Sequence, residues 1–163
     1  MVEMLGVLAI VGVLSIGAIA GYNKISVTQK TQALTDKIYY LQSQIRNVSN
    51  GNYVGVNKSV LLQTGKFQDE DFQNPFGGDI YVGPDSDGYL VLAVKNNAVI
   101  PSDACTDLVL TNWGKKGIFW GLSLGTVVND VYFAYWNDTY PAQTSAAISA
   151  CSGGDKLMYW YFK

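Results

Sequence analysis

Residues 1–24 read MVEMLGVLAIVGVLSIGAIAGYNK, an apolar run with one acid, Glu3, at its head and no other charge before Lys24. Met4 to Tyr22 is almost continuous Leu, Val, Ile, Ala and Gly. As a helix rising about 1.5 Å per residue, that stretch is just long enough to cross a hydrocarbon core. A carboxylate in such a setting costs about 2.5–3.5 kcal/mol in lipid, so something has to compensate for Glu3. A secretory signal peptide begins with positive charge and ends at a small-residue cleavage site; here the charge is negative and no Ala-x-Ala site follows. A plain single-pass anchor explains the length but leaves Glu3 without a partner. A helix that sits in lipid and later packs among identical subunits explains both, with Glu3 paired at the contact. Gly6, Gly12, Gly17 and Gly21 interrupt the run, the last two as G-x-x-x-G, and small residues let helix backbones approach closely.

The pattern changes after Tyr22 without a break. Apolar residues recur at Val27, Leu34, Ile38, Leu41, Ile45 and Val48, and the later steps of four and three draw one stripe on a helix. No proline intervenes before Pro75, and Asn50-Gly51 is a stop signal because Gly accepts the left-handed conformation at the C′ position. The spacing therefore predicts one helix from Met1 to Asn50, about 75 Å long. Its segment 1–22 is apolar all round, its segment 23–50 has one face to lay on a folded head, and 51–163 forms that head.

Composition narrows the function classes. The 163 residues suffice for one modest domain with an appendage. A net charge of −2 and a pI near 4.9 argue against a nucleic-acid partner. The absence of histidine removes the commonest general base and metal ligand, so an enzyme is not expected and no cofactor is implied. The two cysteines, Cys105 and Cys151, suggest one disulfide and an oxidising compartment, with a pair of buried thiols as the alternative.

The head reads as β-rich. Residues 51–78 are Gly-, Asn- and Gln-rich and read as a surface loop region with one short helix near 59–64. DIYVGPDSDGYLVLAV (79–94) is a strand, a turn and a strand; GIFWGLSLG (117–125), VNDVYFAYW (128–136) and LMYWYF (157–162) are three more. PSDACTDLVLTNWG (101–114) reads as helical with Ser102 as N-cap, and TSAAISACSGG (144–154) as a second short helix capped by Thr144 or Ser145 and ended by Gly153. The expected class is α+β: an antiparallel sheet laid across the amphipathic half of a long N-terminal helix.

The opening MVEMLGVLAIVGVLSIGAIAGY resembles the N-terminus of type IV pilins. NPFGGDIYV (74–82) and IPSDACTDL (100–108) resemble segments of the type IVb branch, which includes the conjugative thin-pilus, toxin-coregulated and bundle-forming pilins. The resemblance implies a leader removed by a prepilin peptidase, a head bearing a C-terminal disulfide loop, and homopolymerisation by an assembly machinery. Before assembly the chain would sit in the inner membrane with its head in the periplasm; afterwards it would be part of an extracellular pilus. It also assigns Glu3 the role of the family's fifth-position glutamate, which neutralises the N-terminal ammonium of a neighbouring subunit. Glu3 stands two positions early, so the resemblance places the mature start two residues before Met1. The competing readings are a pseudopilin or minor pilin of a secretion or DNA-uptake machine and, from another class, a membrane-anchored adhesin or carbohydrate-binding domain that never polymerises.

Other signals carry less. Asp85 and Asp87 in PDSDG are calcium candidates by oxygen chemistry, although Asp-Gly turns form without metal. Asp69 and Asp71 read as solvated loop charges rather than a glycosidase pair. Trp113, Trp120, Trp136 and Trp160 suit core or interface anchors better than a sugar platform.

Overall fold

The computed structural model describes residues 2–94, 100–125, 130–135, 138–153 and 156–163, with side chains described from Tyr22 onward, Asp130 excepted. The chain begins with helix α1, Val2–Ser49. Leu34, Ile38, Leu41 and Ile45 are fully buried along one stripe, and Val27 and Val48 pack half-buried at its ends. The stripe includes a position that hydropathy does not mark. Thr31 is buried, and its hydroxyl donates to the Val27 carbonyl at 2.8 Å. That bond removes the cost of burying a polar group.

The helix stops as its sequence directs, with one change of role. Asn50, at φ 52°, takes the left-handed C′ position expected of glycine, and Gly51 follows at φ 79°. The Gly51 amide then reaches back to the Arg46 carbonyl at 3.3 Å, the 6→1 bond of a Schellman cap. Asn tolerates this conformation better than other non-glycine residues.

Five described strands form one antiparallel sheet: β1 Ile80–Pro84, β2 Leu90–Val94, β3 Phe119–Gly125, β4 Asp130–Ala134 and β5 Leu157–Phe162, in the order β1-β2-β5-β3-β4. The last strand of the chain is thus the central one. Its LMYWYF alternates, with Met158, Trp160 and Phe162 buried toward α1 and the intervening residues half-buried on the other side. Strand β2 breaks the alternation and is buried throughout. The register explains this. Ala93 lies between Tyr81 and Tyr159, and Val91 between Gly83 and Tyr161, so large rings flank the small outward-facing residues. A Cβ on Gly83 would stand 2.5 Å from the Tyr81 hydroxyl, which shows how closely that ring lies over the strand.

Three short helices complete the head: α2 Lys58–Gln63, α3 Ser102–Leu110 and α4 Thr144–Cys151. The cap assignments differ from the sequence reading. Ser102 and Thr144 are already helical; Pro101 and Gln143 occupy the N-cap positions and neither donates a side-chain cap. Helix α3 also ends at Leu110, short of the stretch its sequence suggested, with Thr111 in extended backbone. Gly153, at φ 85°, follows the Ser152 C-cap of α4 as expected. The region 51–78 is more than a surface loop. Tyr53, Leu61, Phe67 and Phe72 are buried in it, and a 3₁₀ turn at Asp69–Phe72 was not legible in the sequence.

Truncating a buried stripe residue removes its transfer free energy and leaves a cavity. Ile38→Ala is expected to cost about 2–5 kcal/mol, while Tyr40→Ala, at a position 40% exposed, should stay within about 0.5 kcal/mol. Equilibrium urea unfolding of the two variants checks this; equal losses would contradict the packing described.

Candidate functional site

Glu3, Gly6, Gly12, Gly17 and Gly21, the residues that the sequence marks for assembly, all fall in the N-terminal part of α1. Their side chains lie outside the described residues. Among the described residues, no helix is long and apolar enough to cross a membrane; the apolar run 4–22 precedes the point where side-chain description begins. The first described side chains of α1 are informative. Tyr22 is 72% and Ile25 59% exposed, and Asn23 and Lys24 are exposed as well. Among the described side chains, packing onto the head begins at Ser26 and Val27. The helix itself continues toward its N-terminus from there, and Tyr22 and Ile25 leave apolar surface open to solvent.

The supports that fix α1 on the head come from two sides. Tyr39 donates its hydroxyl to the Asn112 carbonyl, and its ring lies 5.2 Å from that of Trp113. Trp113 packs edge-on against Trp160 of β5 at 5.4 Å, and its indole N–H donates to Leu108 at 2.8 Å. On the other side, Lys37 Nζ donates to the Glu70 carbonyl and, at 2.8 Å, to that of Gln73. Lys58 holds the same 3₁₀ segment by pairing with Asp69 at 3.0 Å and Asp79 at 2.8 Å. The hydrogen bond it donates to Asp79 is the main reason its ammonium pKa rises. Asp69 is thus an ion-pair partner, and Asp71 accepts from the Gln68 amide at 2.8 Å; neither pair of atoms is arranged for acid–base chemistry.

Cys105 of α3 and Cys151 of α4 form a disulfide, 46 residues apart in sequence. Its function is legible from its neighbours. Helix α4 buries only Ala147 and Cys151, so it has little apolar surface of its own to hold it. Helix α3 buries Ala104, Cys105, Leu108 and Val109 and packs on α1. The bridge ties the weak helix to the strong one. Between α1, α3 and α4 lies a groove of about 960 Å³, whose walls include Lys24 and Val27, Asp103 and Asp107, and Ile148.

The calcium candidates Asp85 and Asp87 sit in the β1–β2 turn. Asp85 Oδ1 accepts from the amides of Asp87 at 3.0 Å and Tyr89 at 2.8 Å, which commits that oxygen to the turn. Among the described residues, no group of three or more His, Cys, Asp or Glu side chains gathers in one place. Of the four tryptophans, Trp113 and Trp160 are core, Trp136 lies outside the described residues, and Trp120 is half-buried against Tyr89. The three described tryptophans form no common platform. The cluster that sequence reading missed surrounds Trp120, and it comes from strands far apart in the chain.

Comparison with known proteins agrees with this architecture. The chain is 25% identical over 173 aligned positions to the "Major structural subunit of bundle-forming pilus" of Escherichia coli O111:H-, covering 95% of this chain and 87% of that protein. The same figures hold for the subunit of that name from Escherichia coli O127:H6 (strain E2348/69 / EPEC). No family model and no solved structure matches the chain. The likeness supports a type IVb-like pilin.

Closing a loop of this length by a disulfide stabilises by about 4 kcal/mol in the chain-entropy model. Replacing both Cys105 and Cys151 by Ser is expected to cost about 2–4 kcal/mol, with amide exchange rising first in α4. Unfolding midpoints equal to those of the parent chain would contradict the role assigned to the bridge.

Proposed function

We propose that this chain is the structural subunit of a type IVb-like pilus and that it polymerises through α1 into a surface filament. The observation that carries the reading is the unfinished helix. Helix α1 extends from Val2, Tyr22 and Ile25 stand exposed, and the sequence before them is apolar with one acid. Apolar surface of that extent requires a non-aqueous partner. The likeness to the bundle-forming pilus subunit over 95% of the chain supports a second copy as that partner. The role is structural rather than catalytic.

In this account the chain waits in the inner membrane with its head in the periplasm, after a prepilin peptidase has removed a leader. Assembly machinery then moves it into the filament. The helices exchange lipid for one another, an exchange with little hydrophobic driving force inside the bilayer. Once the fibre stands in water, keeping those helices together is favoured by about 25 cal/mol per Å² of apolar surface. Glu3 sets the register by pairing with the N-terminal ammonium of a neighbour, because a buried carboxylate is tolerated when paired and hydrogen-bonded but not alone.

The test is fibre yield in a strain carrying the complete machinery, measured on sheared surface material. Glu3→Gln is expected to lower yield at least tenfold while the subunit still accumulates in the membrane; yield equal to the parent would overturn the register role. Isolated fibres should come apart in mild detergent and persist through disulfide reduction. Fibres that resist detergent but dissolve on reduction would contradict helix packing as the main cohesive force.

A further inference from the structure

We propose that the cleft between the β1–β2 turn and the outer face of β3, β4 and β5 binds a quaternary ammonium group of the choline type, held over Tyr89, Trp120, Tyr132 and Tyr161 and against Asp85 and Asp87. These six residues line one cavity of about 390 Å³, on the side of the sheet that faces away from α1.

Two devices of the fold build it. The first is a β-bulge. Phe119 pairs with Phe162 and Gly121 with the adjacent Tyr161, so Trp120 is an extra residue in β3. A bulge bends its strand and re-aims a side chain. Here Phe119 is buried in the core while the Trp120 ring stacks on Tyr89, with centroids 5.3 Å apart. The second device is the turn. The two amide bonds to Asp85 Oδ1 fix that carboxylate at the end of β1, and Asp87 stands exposed beside it. On the floor, Tyr161 faces Gly121, a residue with no side chain to fill the space.

The chemistry of the wall selects a cation. Aromatic faces carry negative quadrupole potential, and ammonium groups within about 6 Å of a ring centroid are attracted to it. Two carboxylates add to that field. Burial, with Tyr132 and Asp85 contributing, pushes the Tyr161 hydroxyl up to about 12, so this phenol stays neutral beside the acids at neutral pH. The chain already shows the preference: Lys163 Nζ lies 5.6 Å from the centroid of Trp120. Among the described residues, no Asn, Gln or Arg side chain lines the cavity, and galactose serves as the competing ligand in the test. Lys163 also sets an order among ligands. It disfavours a bare second cation and offers an anionic group a partner, so phosphocholine should bind more tightly than tetramethylammonium.

The test uses the full chain, isotope-labelled, in cholate micelles, following the Trp120 indole resonance by NMR. Phosphocholine should shift that resonance saturably at millimolar concentration, and tetramethylammonium should do so about two- to tenfold more weakly. Asp87→Asn changes an exposed side chain; it should weaken phosphocholine about two- to tenfold. Phosphatidylcholine vesicles that shift Trp120, where phosphatidylglycerol vesicles do not, identify a lipid headgroup as the source. A response confined to soluble phosphocholine identifies a free ligand. The proposal is overturned if none of these compounds shifts Trp120, if sodium phosphate or galactose does so at lower concentration than phosphocholine, or if Asp87→Asn binds as tightly as the parent.

Discussion

One packing interaction organises the molecule: the stripe Leu34, Ile38, Leu41 and Ile45 of α1 set against the inner face of the sheet. Each of these side chains contributes about 1.5–3 kcal/mol on full burial, and none has another surface to cover. The sheet depends on the helix in the same way, because Met158, Trp160 and Phe162 of the central strand would otherwise face water. Since β5 is the last of the described strands in sequence and the middle one in space, the sheet cannot close until residues 157–162 are in place. Residues 34–45 and 157–162 therefore have to meet across nearly the whole chain, a topology of high contact order. Everything peripheral hangs on this pair of layers: the segment 51–78 pinned by Lys37 and Lys58, and α4 fastened to α3 by its disulfide.

The stripe also divides the helix. Among the described side chains of α1, burial begins at Ser26 and Val27. The apolar surface at Tyr22 and Ile25 has no place in the monomer's own core. Exposed apolar surface of this kind calls for a non-aqueous partner: lipid, detergent or another chain. The likeness to the bundle-forming pilus subunits fits that physical logic. An identical surface on every copy, met by a different surface on the next, generates an open helical polymer rather than a closed ring when the rotation does not close.

Long-period patterns were legible in the sequence, and tertiary devices were not. The spacing of Leu34, Ile38, Leu41 and Ile45 identifies both the helix and its buried face, because helical periodicity is a local property. LMYWYF was likewise legible as a strand, while its faces emerged only from the packing. Thr31 escaped because hydropathy scores a hydroxyl as polar even when it bonds back to its own helix. The caps of α3 and α4 shifted because Ser102 and Thr144 lie one residue inside the turn they were expected to start. The loop 51–78 hid its anchors, since Tyr53, Phe67 and Phe72 stand singly among Gly, Asn and Gln and show no period. The aromatic cleft was invisible for a different reason. Tyr89, Trp120, Tyr132 and Tyr161 come from four segments, and only the register of the sheet and the bulge at Trp120 bring them together.

Hydrogen–deuterium exchange on the detergent-held monomer and on intact fibres tests the division of α1 most directly. The account predicts that amides from Leu34 to Ile45 exchange slowly and equally in both forms, while those from Tyr22 to Lys30 exchange faster in the monomer and become protected in the fibre. Equal exchange of Tyr22 to Lys30 in the two forms would contradict it, because that surface would then have no partner to gain.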